Sequence, residues 1–271
     1  MRLGLILSLT GGAFPHSLRT RMKHHRLPLL ACALLPFLAA PSASASERRF
    51  GYTYPTLTAP VGEIELENWI TSKARPGVLR TFDFRHELEF GLTKRTQLGV
   101  YLANWEHDAR AHESRYANTA IEVIHNLTHP VTDPLGSALY AELAMGDRHT
   151  ALEGKLLLEK RMGKWVVGWN GILESEWSGE RFGDLQEATG ELGQTVGLAY
   201  DLTDHLSLGA ELVHKLPLGT WRRPADAEVY AGPCLTFRKG RFFVGATALF
   251  QTTDKPEQAT VQLRTILGVE F

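Results

Sequence analysis

The sequence is poor in cysteine and, beyond its N-terminal region, contains no long apolar run. Its two cysteines are Cys32 and Cys234, so the chain is not a disulfide-rich secreted domain. No run of about 20 apolar residues follows residue 45, which excludes a membrane-spanning helix from that part of the chain. The formal net charge is -1, so no basic excess neutralises phosphates and no nucleic-acid partner is expected.

The motifs of the common enzyme classes are also absent. The sequence has no G-x-S-x-G, H-E-x-x-H, G-x-G-x-x-G or C-x-x-C pattern and no phosphate-binding loop. We therefore expect no catalytic residue, no metal and no cofactor. An enzyme that acts on lipid or peptide at a membrane rim stays as an alternative, because isolated histidines and acids occur. The residues considered for it are His86, His107, Asp108, His112, His125 and His214.

Residues 22–45 have the pattern of a secretory signal peptide. Residues 23–26 are mostly basic, residues 27–40 form a short apolar core, and Ala43-Ser44-Ala45 offers a cleavage site. The pattern predicts export and removal of this segment.

The residues around the signal peptide leave two alternatives open. We interpret residues 1–21 as an extension upstream of the true start at Met22, the alternative being a long signal from Met1. Leu29 to Cys32 also resembles a lipoprotein box. Most of the apolar core follows Cys32, however, which favours ordinary cleavage and leaves Cys234 as the remaining cysteine.

From residue 62 onward, apolar residues recur with a period of two, which places alternate side chains on opposite faces of a β-strand. In TFDFRHELEFGL, for example, Phe82, Phe84 and Phe90 alternate with Asp83 and Glu87. The pattern predicts about twelve strands and little helix. Their expected bounds are 62–72, 79–92, 97–107, 117–127, 136–145, 150–160, 165–177, 190–202, 206–216, 228–238, 241–251 and 259–271.

The connections between these strands alternate between short and long. Short turns are expected at 92–99, 161–164, 202–209 and 238–241, and long polar loops at 107–117, 178–189 and 217–227. Two connections break the rule, since 146–149 is short and 128–135 is longer than a tight turn. Turns that are short at one end and long at the other are typical of outer-membrane barrels, with both ends of the barrel segment on the periplasmic side.

We therefore predict an all-β protein, a transmembrane up-and-down antiparallel β-barrel over residues 62–271 in the bacterial outer membrane. The sheet must close, because every backbone polar group in lipid needs a partner. Residues 46–61 form either a periplasmic tail or a plug. A soluble lipocalin-like barrel or a periplasmic β-sandwich is the structural rival, since alternation alone also fits a sheet that covers an apolar core.

The charged residues of these strands are expected to face the inside of the barrel, because charges are costly on the lipid face. Acidic residues outnumber basic ones there, so a water-filled lumen would favour cations or neutral polar solutes over anions. A narrow lumen filled by an ion-paired network is the alternative. The candidate lumen-facing residues are Glu63, Glu65, Glu67, Asp83, Arg85, Glu87, Glu89, Glu122, Glu142, Lys155, Glu174, Glu211 and Arg264.

Two resemblances add to this interpretation. Residues 260–271, TVQLRTILGVEF, resemble the C-terminal signature of bacterial outer-membrane proteins, which implies that the barrel-assembly machinery reads Phe271. Residues 50–271 are similar to outer-membrane barrels related to the transporters of the meta-pathway of phenol degradation. That similarity lies in GYTYPTLTAPVGEIELENW, FDFRHELEFGLTKRTQLGVYL and YDLTDHLSLGAEL. It implies transport but no particular solute or functional residue.

The sequence as a whole favours a passive channel or transporter for small solutes, with outer-membrane lipid and the barrel-assembly machinery as partners. The solute itself is not indicated. A barrel enzyme acting at the rim and a closed structural barrel are the alternatives.

Deletion of Phe271 should impair membrane insertion more than it changes transport by the barrels that do insert. The reason is that the terminal aromatic is expected to serve assembly. The measurement is the fraction of barrel that migrates faster unheated than boiled on a denaturing gel, with Phe271→Tyr as the control. A normal yield of folded barrel from the deletion variant would contradict this role.

Overall fold

A computed structural model of the chain describes residues 48–179, 187–219, 221 and 226–271, and these residues form strands, turns and irregular segments without helix. None of them therefore belongs to a helix suited to crossing a membrane. The expected signal peptide at 22–45 and the extension at 1–21 lie outside the described residues. Parts of the expected loops 178–189 and 217–227 also lie outside them.

The strands of the described residues form one sheet in which every neighbouring pair is antiparallel. They are β1 (Ile64–Arg75), β2 (Leu79–Thr93), β3 (Thr96–Tyr101), β4 (Trp105–Asp108), β5 (Glu113–Tyr116), β6 (Asn118–Thr128), β7 (Gly136–Gly146), β8 (His149–Met162), β9 (Trp165–Ser178), β10 (Glu187–Asp201), β11 (Leu206–Leu218), β12 (Glu228–Lys239), β13 (Phe242–Gln251) and β14 (Val261–Glu270).

The short strands β3 to β6 make up two longer, interrupted strands of the barrel. Residues 102–104 interrupt the third strand of the barrel, between β3 and β4. Pairing with the next strand continues there, because the Asn104 N–H donates to the Asn118 carbonyl at 2.7 Å and the Ala117 N–H donates to the Asn104 carbonyl at 2.7 Å. With β3–β4 and β5–β6 each counted once, the barrel has the twelve strands that the sequence predicts.

One expected loop is largely wrong. Residues 107–117 were expected as a polar loop, but β4 and β5 continue the ladder and leave only 109–112 as the turn. The pairing is sustained by side chains, since the rings of Trp105 and Tyr116 lie 5.9 Å apart and Arg115 forms an ion pair with Glu106 at 2.8 Å. Cross-strand pairs of this kind stabilise a sheet although the segment is polar.

The sheet closes because β1 pairs with both β2 and β14. The register with β14 runs from Glu65 opposite Glu270 to Ala74 opposite Val261. Beyond it, the Phe271 N–H donates to the Ile64 carbonyl at 2.8 Å. Closure removes the sheet edges, whose backbone N–H and C=O groups would have no hydrogen-bond partner in lipid. The prediction of a closed antiparallel barrel is confirmed, and the β-sandwich is excluded.

The two ends of the barrel differ in their connections. At the end called here the turn end, the strands are joined by residues 94–95, 129–135, 163–164, 202–205 and 240–241. Gly163 and Gly240 each have φ near 60° in their two-residue turns, a conformation that glycine adopts without strain. The opposite loop end carries the β4–β5 extension and the longer connections. Its first and third connections, 76–78 and 147–148, are nevertheless short.

The outer surface of the barrel is apolar. Along β6, Ile121, Val123 and Leu127 are exposed, whereas Glu122 and Asn126 between them are buried. Other exposed apolar residues of the wall are Leu139, Leu143, Leu152, Leu156, Leu173, Leu192, Leu198, Leu208, Leu235, Phe250, Leu263 and Leu267. An apolar exterior around a polar interior is the arrangement of a barrel in lipid, which excludes the lipocalin-like rival.

Leu156→Arg should destabilise the barrel in lipid. Leu156 lies midway along β8 and is 42% exposed, so a charge there would face the hydrocarbon core. The expected loss in the free energy of unfolding is about 2–4 kcal/mol, measured by denaturant titration in lipid vesicles. Leu156→Met, which keeps an apolar side chain, should change little. Equal stability of the two variants would contradict a lipid-facing position.

Candidate functional site: the barrel interior

Residues 48–60, called here the N-terminal segment, lie against the inner side of the barrel wall. The segment contains no strand, yet four of its residues are buried: Phe50, Thr53, Tyr54 and Thr56. Its buried N–H groups therefore need acceptors other than a sheet ladder. Side chains of the wall supply them.

Glu211 of β11 binds the first part of the N-terminal segment. Its carboxylate accepts hydrogen bonds from three successive N–H groups, those of Gly51, Tyr52 and Thr53, at 2.8, 2.9 and 2.9 Å. The Thr247 hydroxyl donates a fourth at 2.8 Å. Hydrogen bonds to a charged acceptor are stronger than neutral ones, so this one carboxylate is a major anchor.

Three other strands hold the rest of the N-terminal segment. Asn170 of β9 accepts from the Tyr54 N–H at 2.6 Å and donates to the Tyr54 carbonyl at 3.1 Å. Glu159 of β8 accepts from the Thr56 N–H at 2.9 Å. Gln97 of β3 accepts from the Ala59 N–H at 2.8 Å. The segment is thus bound across the lumen by strands from different parts of the wall.

Tyr54 lies at the centre of a cluster of cations and aromatic rings. The guanidinium carbon of Arg48 is 4.6 Å from the Tyr54 ring centroid and 4.7 Å from that of Trp69. The Lys155 ammonium is 4.2 Å from the Tyr54 ring and 4.0 Å from the Tyr140 ring. A cation held over the face of an aromatic ring is attracted to the ring, and this attraction is strongest in a site without water. This cluster lies in the barrel interior, where Tyr54 and Trp69 are both buried.

Tyr54 also forms part of the wall of two interior cavities. The turn-end cavity has a volume of about 220 Å³ and is lined by Arg48, Glu65 and Glu89 among others. The loop-end cavity has a volume of about 540 Å³ and is lined among others by Trp69. The N-terminal segment thus borders both cavities.

Three carboxylates meet near the turn-end cavity. Glu67, Glu87 and Glu89 are buried, and one oxygen of each lies within 4.8 Å of the others. Arg48 of the N-terminal segment contacts two of them, with its Nε 3.1 Å from Glu67 and its terminal nitrogen 3.6 Å from Glu89. The Tyr101 hydroxyl donates to the nearby Glu122 at 2.9 Å.

The loop-end cavity contains charges of both signs. Its wall includes the ion pairs Lys73–Asp83 at 2.6 Å and Lys215–Glu191 at 2.9 Å. Lys73, Asp83 and Arg85 also line a wider cavity of about 1190 Å³ at the loop end. This wider cavity, called here the mouth, therefore shares three lining residues with the loop-end cavity.

The thirteen candidate residues fall into three groups. Those that are buried are Glu65, Glu67, Glu87, Glu89, Glu122 and Glu211. Those that line the loop-end cavity are Asp83, Arg85, Glu142, Lys155, Glu174 and Arg264. Glu63 lines the turn-end cavity. Their part in conduction stays a prediction.

Of the side chains that bind the N-terminal segment, the sequence interpretation named Glu211 as facing the lumen but did not name Asn170 or Gln97. Asn170 and Gln97 are uncharged and do not stand out among other polar strand residues. Arg48 precedes the first strand, where no periodicity indicates its direction. The available signal was Tyr52 and Tyr54, an unusual pair of aromatic residues in a segment predicted to lack regular structure.

The histidines considered for a rim enzyme have ordinary polar neighbours. His86 and His125 are exposed and contact Asn68 at 2.8 Å and Thr96 at 3.1 Å. His214 is half-exposed.

In the loop-end hairpin, His107 contacts the Ser114 hydroxyl at 2.9 Å. The Asp108 carboxylate accepts from the N–H groups of Arg110 and Ala111 at 2.8 and 3.0 Å. Asp108 therefore stabilises the turn, in which His112 has φ of 57°.

The closed sheet, the apolar exterior and the polar interior define a bacterial outer-membrane β-barrel, and this places the protein in the outer membrane. The chain belongs to the family of unknown function DUF6662, whose model matches residues 42–266. No curated protein matches the chain.

Among solved structures, the NanC porin shares 7% identity and a TM-score of 0.53, covering 77% of this chain and 98% of the porin. The translocator domain of the autotransporter NalP from Neisseria meningitidis shares 12% identity at a TM-score of 0.43, covering 77% and 87%. A loop-deletion mutant of OmpT, an outer membrane protein of Vibrio cholerae, shares 8% at 0.38, covering 77% and 98%. The likeness to the NanC porin shows a shared fold.

Glu211→Ala should loosen the N-terminal segment while the sheet of the barrel stays closed. It removes the acceptor of three backbone N–H groups, each worth a fraction of the segment's binding. Hydrogen exchange at residues 51–53 should become about tenfold faster or more. Glu191→Ala is the control, because Glu191 pairs with Lys215 and not with the segment. Unchanged exchange at 51–53 would contradict the anchoring role.

Proposed function

We propose that this barrel is a passive channel for small polar solutes and that the N-terminal segment plugs its lumen near the turn end. The observation that carries the proposal is the loop-end cavity of about 540 Å³, which shares Lys73, Asp83 and Arg85 with the wider mouth. Cavities lined by paired charges accept water and polar solutes. The Tyr54 cluster borders the inner side of this space.

The proposed channel favours cations and neutral solutes. Of its thirteen candidate lumen residues, ten are acidic and three, Arg85, Lys155 and Arg264, are basic. An excess of carboxylates in a confined space lowers the energy of cations and raises that of anions.

The resemblance to transporters of the meta-pathway of phenol degradation supports transport as the class and names no solute. In this proposal insertion uses the barrel-assembly machinery, with Phe271 as the signal. The barrel has no catalytic role in this proposal, since Asp108 is engaged by backbone N–H groups rather than by His107.

A closed structural barrel is the second candidate. It is favoured by the density of contacts in the interior, where Glu211, Asn170, Glu159 and Gln97 all bind the N-terminal segment. The two candidates differ in whether the segment is a removable plug or a permanent filling.

Planar-bilayer recordings separate the two. The exported chain should conduct weakly, whereas a variant lacking residues 46–61 should conduct more strongly and show a cation-selective reversal potential in a salt gradient. Glu211→Ala should raise the frequency of open events. Asp226→Ala is the control, because Asp226 is exposed, pairs with Lys255 and lines neither interior cavity.

Absence of conductance from all these variants, while each still shows heat-modifiable gel mobility, would reject the channel and favour the closed barrel. An anion-selective reversal potential would reject the acidic-lumen part of the proposal alone.

A further inference from the structure

Three acidic side chains are brought together in the wall in an arrangement that the backbone register enforces. Glu67 of β1 lies directly opposite Glu87 of β2, and Glu89 follows two residues later on the same face. Like charges directly opposite each other destabilise a sheet unless something else neutralises them. One carboxylate oxygen from each residue lies within 4.8 Å of the others.

The charges of this cluster do not balance when its carboxyl groups are all ionised. Among the described residues, Arg48 then supplies the one guanidinium that contacts the three carboxylates, which leaves a net charge of minus two. Glu67 and Glu87 are 0% exposed, so water does not screen the excess. An uncompensated buried charge is costly, and proteins normally pair such charges or use them to bind metal ions.

Glu87 has an unpaired carboxylate in this cluster. Within the described part of the chain, neither of its carboxylate oxygens has a hydrogen-bond partner. Glu67, by contrast, accepts from the Trp69 indole N–H at 2.7 Å and from Arg48 at 3.1 Å. A fully buried carboxylate with both oxygens unsatisfied is rare, because an unpaired polar group in the interior is costly.

A second carboxylate with an unpaired oxygen, that of Glu122 on β6, lies beside Glu87. A Cβ atom built on Gly99 would lie 2.5 Å from the Oε1 atom of Glu87 and 2.9 Å from the carboxyl carbon of Glu122. Glu122 is 0% exposed, and its Oε1 atom also lacks a hydrogen-bond partner among the described residues. Both carboxylates therefore lie over the same glycine, where the absent side chain leaves room between β2 and β6.

We propose that Glu67, Glu87 and Glu89, with Glu122 alongside, bind a hard divalent cation of the calcium type. Calcium takes carboxylate oxygens at about 2.3–2.6 Å, so oxygens on opposite sides of the ion lie about 4.8 Å apart. A charge of plus two cancels the excess of the cluster. The two free oxygens of Glu87 suit bidentate binding.

The turn-end cavity provides the route to this site. Its wall contains Glu89, and it also contains Glu63, which is partly exposed. A cation entering from that end would pass carboxylates along its path. The site depends on the barrel fold and not on conduction through the lumen.

Terbium luminescence tests the site, because Tb³⁺ replaces Ca²⁺ at oxygen ligands and emits when a nearby tryptophan is excited. Trp69 donates to Glu67 at 2.7 Å and is therefore placed to excite the ion. Barrel folded in detergent and treated with chelator should give saturable Tb³⁺ emission that Ca²⁺ displaces. Glu87→Gln should weaken Tb³⁺ binding about tenfold or more.

Two variants make this test specific. Glu174→Gln, in the loop-end cavity, should leave the emission unchanged. Trp69→Phe should remove the emission while Ca²⁺ still raises the Tm.

The proposal is overturned if folded wild type gives no saturable emission or if Glu87→Gln leaves the emission unaltered. It also fails if Ca²⁺ does not raise the wild-type Tm, the result expected if the carboxyl groups are simply protonated. Should Glu87→Gln not fold, the wild-type Tm in Ca²⁺ against chelator decides the matter alone.

Discussion

The pairing of β1 with β14 is the interaction on which the rest of the structure depends. A sheet in lipid has no water to satisfy an open edge, so the chain must return to its first strand. Once the sheet is closed, each strand has one face toward hydrocarbon and one toward the interior. The exposed apolar residues occupy the first, and the buried carboxylates of the wall are confined to the second.

That confinement explains the N-terminal segment. The interior contains several buried carboxylates, and a segment without regular structure has N–H groups that no sheet ladder pairs. Glu211 accepts hydrogen bonds from three of these N–H groups, so its buried carboxylate and the N–H groups are paired together. Arg48 of the segment forms ion pairs with the buried carboxylates of Glu67 and Glu89. The polar wall and the irregular segment thus complete each other's hydrogen bonding.

The strands of the wall and the face of each of their residues could be predicted from the sequence. The contacts inside the barrel could not. Period-two alternation determines the face of each residue, so the strand expected at 79–92 agrees with β2 to within one residue. The cluster at Glu67 and Glu87 needs the register between two strands, which alternation does not give. The N-terminal segment has no periodicity, and its contact between Gly51 and Glu211 spans 160 residues. The β4–β5 hairpin was missed because its residues are polar, although they pair well.

The anchoring of the N-terminal segment sets an order for biogenesis. Its acceptors lie in β3, β8, β9 and β11, so its bound conformation cannot exist until most of the wall has formed. Yet these residues precede every strand and leave the ribosome before them. The part of the described chain that is made first therefore completes these contacts only after strands as late as β11 are in place.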